Sequence, residues 1–202
     1  MQNAAFAARG LDWAYVALDV PPERFEEAVR GLAAAGFAGA NVTAPHKRAA
    51  AALVDDDLES VNTLVFAGDS IRGTSTDAAV LDGRVFERPV IVGDGGSAAA
   101  FRARLPGARV FARRGSWPPE THDADLVVNA TSARSELLFE PRAGQTIVDL
   151  PYPDSATAGA ARAAGADVLD GLDVLVAQGA ASFELWTGVR APVHVMRAAV
   201  RD

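Results

Sequence analysis

The sequence contains no cysteine, which removes disulfides and thiolate-bound metal centres from consideration. Its three histidines, His46, His122 and His194, are scattered, and none has the spacing of metal ligands. No apolar run approaches the roughly 20 residues of a membrane-spanning helix. The start, Met1-Gln2-Asn3-Ala4-Ala5-Phe6, lacks the basic residues and apolar stretch of a secretory leader. A basic excess is missing too. Nineteen Lys and Arg stand against 26 Asp and Glu, a formal net charge of -7. That balance disfavours nucleic acid and anionic membrane as partners, so any anion site must be local. A soluble cytoplasmic protein is the default expectation. What the chain does have is 202 residues, 50% of them apolar, enough for one large domain or two small ones.

The order of elements predicts an α/β protein. Residues 12–20 have strand composition and are ended by Pro21 and Pro22. Phe25, Ala28, Val29 and Leu32 then recur at helical spacing up to Gly36. A second strand ends near Val42, and a helix follows from His46 to Val54. The acidic run Asp55-Asp56-Asp57 reads as a solvated loop. Short strands over 61–66 and 71–73 flank a turn at Gly68-Asp69. From Arg88 onward, apolar strands at 89–92, 108–111, 125–129 and 146–150 accompany helices at 98–105 and 156–164. This is βαβ-type alternation around a parallel sheet. Two further helices are predicted over 174–186 and 193–200.

Two stretches carry chemistry. In the first, Asn41-Val42-Thr43-Ala44-Pro45-His46-Lys47, Pro45 biases Ala44 away from the helical region and suits a first helical turn. Lys47 then stands at a strand-to-helix corner, where the positive end of a helix dipole would lower its pKa and fit it for proton exchange. On spacing alone, a solvated lysine in a first helical turn is the simpler reading. In the second, Gly93-Asp94-Gly95-Gly96-Ser97-Ala98 follows a strand and opens a helix, the context in which glycines and helix amides cradle a pyrophosphate. A plain tight turn would look the same. About 20 residues beyond Gly93, where a dinucleotide fold reads the ribose, stand Arg113 and Arg114 instead of a carboxylate. Two guanidiniums there favour a 2′-phosphate, hence NADP; a pair of surface arginines is the alternative.

With these stretches in view, the chain resembles the shikimate dehydrogenase family. The resemblance runs from Asn3 almost to the C-terminus. It is carried by the stretch from Asn41 to Lys47, by Ser60-Val61-Asn62-Thr63-Leu64, Gly73-Thr74-Ser75-Thr76-Asp77 and Gly93-Asp94-Gly95-Gly96. Asn129-Ala130-Thr131-Ser132, Asp149-Leu150-Pro151-Tyr152 and Gln178-Gly179-Ala180-Ala181-Ser182-Phe183-Glu184-Leu185-Trp186-Thr187-Gly188 complete it. The resemblance implies two α/β domains with a cleft between them: a substrate domain over 1–78, with helices over 174–202 packing back on it, and a reduced Rossmann-like NADP domain over 79–173. It implies NADP-dependent, reversible reduction of 3-dehydroshikimate to shikimate, a step of aromatic amino acid biosynthesis. Lys47 and Asp77 would be catalytic. Thr43, Asn62, Asp77, Gln178 and Tyr152 would meet the substrate. Gly93, Gly95, Gly96, Ser97, Arg113, Arg114 and Thr131 would bind the cofactor.

The chain also departs from the pattern of the family it resembles. Members carry, ahead of a segment like Met1–Phe6, an interior strand and a loop with two serines that bind the substrate carboxylate. The expectation is that the natural protein begins upstream of Met1, and that loss of this strand leaves its neighbours unpartnered and exposes apolar surface. Ser75 replaces an Asn, Ala78 a Gly, and Ala112-Arg113-Arg114 an Asn-Arg-Thr. Pro118 and Pro119 argue against a helix after Arg114, and the stretch between Asp77 and Arg88 is short for a connecting helix. A second expectation follows from the missing clamp: a non-catalytic module that binds a shikimate-like ligand or a cofactor. Quinate is a further possible substrate.

Overall fold

Two sheets, one antiparallel and one parallel, organise the chain. The computed structural model describes residues 1–54, 58–68, 70–153 and 155–200. The acidic run at 55–57 and Asp69 of the expected turn lie outside the described residues. The chain divides into two compact units, Met1–Thr76 with Val176–Asp202, and Asp77–Leu175.

The first unit opens with helix α1 (Gln2–Ala8), followed by α2 (Phe25–Ala34), strand β1 (Gly39–Asn41), α3 (Lys47–Ala52), β2 (Thr63–Ala67) and β3 (Ser70–Thr74). Helix α2 buries Phe25 and Val29, four residues apart on one face. They pack with Val42, Ala50, Val61, Leu64 and Phe66. Strands β1, β2 and β3 form an antiparallel sheet in that order. Gly68, at φ +59°, turns the chain from β2 to β3.

The expected strand over 12–20 does not form. A strand needs a neighbour for its N–H and C=O groups, and among the described residues β1 pairs only with β2. The segment has no regular structure and is largely exposed, Trp13, Val16 and Leu18 by 41, 54 and 55%. One side chain replaces a rung of the missing ladder. Asn3 Nδ2 donates to the Tyr15 carbonyl at 3.0 Å, and the Tyr15 N–H donates to Asn3 Oδ1 at 2.6 Å. The Tyr15 hydroxyl donates to Asn41 Oδ1 of β1 at 3.1 Å.

The second unit contains β4 (Pro89–Val92), α4 (Gly96–Arg104), β5 (Arg109–Phe111), β6 (Leu126–Asn129), β7 (Thr146–Asp149), α5 (Ala156–Ala163) and β8 (Asp167–Leu169). Its sheet is parallel throughout, in the order β5-β4-β6-β7-β8. Alternate residues face opposite sides of a strand, and here both sides are buried. Ile91, Leu126, Val128 and Val148 pack with Ala98, Phe101 and Leu105 on one face. Val90, Val92, Val127 and Ile147 pack with Leu138, Phe139 and Ala161 on the other. This explains the uninterrupted apolar strands in the sequence. Each such side chain contributes roughly 1.5–3 kcal/mol by leaving water. Among the described residues, the only helical element between Asp77 and β4 is a three-residue 3-10 turn, Ala79–Leu81, and none occurs between β5 and β6.

Helix α6 (Gly171–Thr187) begins in the second unit and ends in the first, and α7 (Val193–Ala198) follows it. Phe183 and Val176 of α6 and Met196 of α7 bury against Ala5 and Phe6 of α1, with the Phe6 and Phe183 rings stacked at 5.4 Å.

Candidate active site

In the first unit, two backbone bonds bracket the loop that carries Thr43 and Lys47. The Val42 N–H donates to the Asn62 carbonyl at 2.7 Å, and the Val61 N–H donates to the Lys47 carbonyl at 3.0 Å. The loop is thereby clasped to the residues that lead into β2. It contains a cis Ala44–Pro45 bond and closes on itself through the His46 N–H and the Thr43 carbonyl, 2.9 Å. Pro45 lies in this turn rather than in the helix, because α3 starts at Lys47. His46 stacks on Phe25 with centroids 4.8 Å apart and planes at 5°, which makes it a packing residue. Thr43 is exposed and Lys47 half-buried.

Asn62, 1% exposed, anchors a buried polar network beside this loop. Its Nδ2 donates to Gln178 Oε1 at 3.0 Å, and its Oδ1 accepts from the Thr76 N–H at 2.8 Å and the Thr63 hydroxyl at 3.0 Å. The Ser182 hydroxyl lies 2.9 Å from that of Thr63 and 3.3 Å from that of Thr76, accepts from Asn41 Nδ2 at 2.9 Å, and donates to the Gln178 carbonyl at 3.0 Å. Thr43, Lys47, Asn62 and Gln178 therefore belong to one corner of this unit. The supporting roles of Asn41, Thr63, Thr76 and Ser182 were not apparent from the sequence. Only Ser182 had a local signal: it lies four residues from Gln178, on the same helix face. Asp77 is buried at 7% exposure, as the first residue of the second unit.

In the second unit, β4 is where the strand order reverses: β5 lies on one side and β6 on the other. The crevice beyond the carboxyl ends of strands at such a reversal is where α/β sheets take ligands. The residues there fit a dinucleotide. Gly93 sits at φ +121°, and its N–H donates to the Phe111 carbonyl at 2.8 Å. A Cβ on Gly93 would lie 2.9 Å from the Ala130 carbonyl oxygen, whereas one on Gly95 would meet nothing within 4 Å. Gly95 caps α4 and has no side chain to accept from its first turn, which suits that turn to present N–H groups to a phosphate. Gly96 and Ser97 are half-buried in the same turn.

Thr131 follows β6 and shapes its loop. Its hydroxyl donates to Asn129 Oδ1 at 2.8 Å and accepts from the Ala133 N–H at 3.1 Å. Asn129 in turn donates to the buried Asp149 at 2.7 Å. Tyr152, beyond β7, is 54% exposed. Gly171 lets α6 start against this loop, since a Cβ there would lie 3.0 Å from the Leu150 carbonyl oxygen. Arg114 is exposed. Arg113 pairs with Glu136 and lies over the Trp117 ring, 5.2 Å from its centroid; neither contact is legible in sequence spacing. Among the described residues, no group of His, Asp and Glu could hold a metal ion, and no helix is long and apolar enough to cross a membrane.

Known proteins match both regions. The profile of the shikimate dehydrogenase substrate binding domain matches residues 1–64, and that of the shikimate 5′-dehydrogenase C-terminal domain matches residues 171–201. A shikimate dehydrogenase (NADP(+)) of Anaeromyxobacter sp. strain Fw109-5 is 39% identical over 99% of this chain and 89% of its own length. Among solved structures, a shikimate dehydrogenase in complex with NADP+ superposes with a TM-score of 0.88, at 28% identity over 100% of this chain and 88% of that one. The enzyme of Thermus thermophilus, in complex with NADP(H) and shikimate, gives 0.84 at 28% identity, covering 99% and 92%. Identity of this order along nearly the whole length, on the same two-part α/β fold, means that the chain belongs to the shikimate dehydrogenase family.

Proposed function

We propose that the protein catalyses the NADP-dependent, reversible reduction of 3-dehydroshikimate to shikimate. The observation that carries this reading is the near full-length identity of 35–39% to enzymes named for that activity. The glycine cradle at β4 and the polar corner around Asn62 support it.

NADPH, when bound, supplies the hydride. Gly93, Gly95, Gly96, Ser97 and Thr131 would hold the cofactor, and Arg113 and Arg114 would take its 2′-phosphate. Negative charge grows on the ketone oxygen as the carbonyl is reduced, and a proton must reach that oxygen. The Lys47 ammonium stabilises this charge and donates the proton. Asp77 accepts from a substrate hydroxyl and acts with Lys47 in catalysis. Thr43, Asn62, Gln178 and Tyr152 orient the ring. The clasp of the Lys47 loop onto residues 61–62 limits its motion, which favours a fixed angle of attack. The same reading puts the enzyme in the cytoplasm as a monomer or homodimer, with neither nucleic acid nor membrane as partner; the net charge of -7 agrees with this.

The test is direct. Purified protein should reduce NADP+ when given shikimate, followed by absorbance, and faster than when given quinate. Lys47→Ala should lower kcat by about 10²–10⁴-fold, the usual contribution of a positioned general acid, with an unchanged melting curve. Ligand-induced thermal stabilisation with no NADPH formed under any condition would reject catalysis.

A further inference from the structure

Arg113 is already occupied. Its Nη2 donates to the Glu136 carboxylate, and the guanidinium lies over the Trp117 ring, 5.2 Å from its centroid. Arg113 and Trp117 lie on the loop that leaves β5, and Glu136 on the loop that leaves β6. Those strands do not pair with each other; both pair with β4. Neighbouring strands lie about 4.8 Å apart, so the ion pair ties together loops whose strands are separated by about 10 Å. It spans the end of β4, where the Gly93–Gly96 turn begins.

We propose that Glu136 sets the discrimination between NADP and NAD by standing in for the 2′-phosphate on Arg113. This rests on the NADP reading above. A carboxylate and a phosphate compete for the same guanidinium fork. A 2′-phosphate must displace Glu136 to reach Arg113, and it then stands beside a like charge. NAD lacks the 2′-phosphate and leaves the pair intact. Glu136 therefore weakens NADP binding and spares NAD. The pair is exposed, with side-chain accessibilities of 61 and 53%. Water and salt weaken it, so it is a displaceable partner rather than a lock. Trp117 holds the guanidinium by a cation–π contact and keeps it in position when Glu136 lets go.

The experiment compares wild type, Glu136→Gln, Glu136→Asp, Arg113→Ala and the Arg113→Ala/Glu136→Gln double variant. Calorimetry measures binding of adenosine 2′,5′-bisphosphate and of 5′-AMP, and steady-state kinetics measure NADP+ and NAD+ with shikimate. Glu136→Gln should tighten the bisphosphate and lower KM for NADP+ by about three- to tenfold. That range combines release of an exposed pair with removal of one repulsive charge. Values of kcat, and the constants for 5′-AMP and NAD+, should hold. Glu136→Asp should behave as wild type, the gain should shrink at about 0.5 M salt, and Glu136→Gln should gain clearly less in the Arg113→Ala background than in wild type. The proposal is overturned if Glu136→Gln shifts both cofactors alike, leaves their ratio within about twofold, or acts equally without Arg113. If neither wild type nor Glu136→Gln binds the bisphosphate or NADP+, the NADP reading itself fails and takes the proposal with it.

Discussion

Replacing Gly39 by alanine adds one methyl group to a strand, a change that a half-exposed strand normally welcomes. Here it should be severely destabilising. The Cβ would overlap Trp186 Nε1 and the Leu64 carbonyl oxygen, and would come within 2.6 Å of Trp186 Cδ1. Those first two atoms are the donor and acceptor of a 2.9 Å hydrogen bond that fastens α6 to β2. The methyl group cannot be accommodated without moving the indole or the β1–β2 ladder. Loss of the bond removes about 1 kcal/mol, and a carbonyl left without its partner adds about 1–3 kcal/mol. Overpacking contributes about 1–3 kcal/mol more. A total of at least about 3 kcal/mol is expected, or roughly 6–12 °C in the midpoint for a chain of this size. Gly31→Ala is the control. Gly31 lies within α2, where a Cβ would meet nothing within 4 Å. The identical substitution should stabilise there by about 0.5–1 kcal/mol. Thermal and urea denaturation of the two variants test the difference in sign. If Gly39→Ala melted within about 1 °C of wild type, the close approach of Trp186 to β1 would be wrong.

Four other outcomes follow from the structure. Gly93→Ala should lose at least about 1–2 kcal/mol of stability, because it forces a side chain onto φ +121°, and should raise KM for NADP+ while leaving shikimate affinity in place. Ser182→Ala should cost about 1–3 kcal/mol in urea denaturation, since Asn41, Thr63 and Thr76 all meet its hydroxyl. The combined change Val16→Thr and Leu18→Thr should alter stability by less than about 0.5 kcal/mol, as at exposed sites generally; a loss above about 2 kcal/mol would mean that the segment is buried. Tyr15 keeps 37% exposure, and the burial of the remainder raises its pKa above the ordinary 10.0, so the folded state prefers the neutral phenol. The resulting stabilisation is complete below pH 10 and is lost as pH rises through the folded pKa. An alkaline denaturation series should therefore fall less steeply for Tyr15→Phe than for wild type.

What could be read from the sequence was what local pattern controls. The apolar runs of β4, β6 and β7, the glycines after β4, and the spacing of Phe25 and Val29 each depend on near neighbours in the chain. The family stretches led to Lys47, Asn62 and Gln178, and the Asn62–Gln178 bond joins residues 116 positions apart. Segment 12–20 misled because strand composition states a preference, whereas a ladder requires a partner, and among the described residues no strand pairs with it. Strand β8 escaped notice because three residues carry too little pattern. Ser182, Thr63 and Thr76 look like ordinary small polar residues until the fold superimposes their hydroxyls. Glu136 was invisible for the same reason: its significance lies in facing Arg113, 23 positions away.

The Asn3 side chain that stands in for a strand beside Tyr15 has a dynamic consequence. A β-ladder shields every second amide along its length, but a single carboxamide shields one. In hydrogen–deuterium exchange the Tyr15 amide should be a lone slow site within a rapidly labelled stretch, and Asn3→Ala should erase that protection without touching the amides of β4 and β6. The stretch would then be a place where a protease cuts the native molecule, because opening it releases two short hydrogen bonds rather than a cooperative sheet.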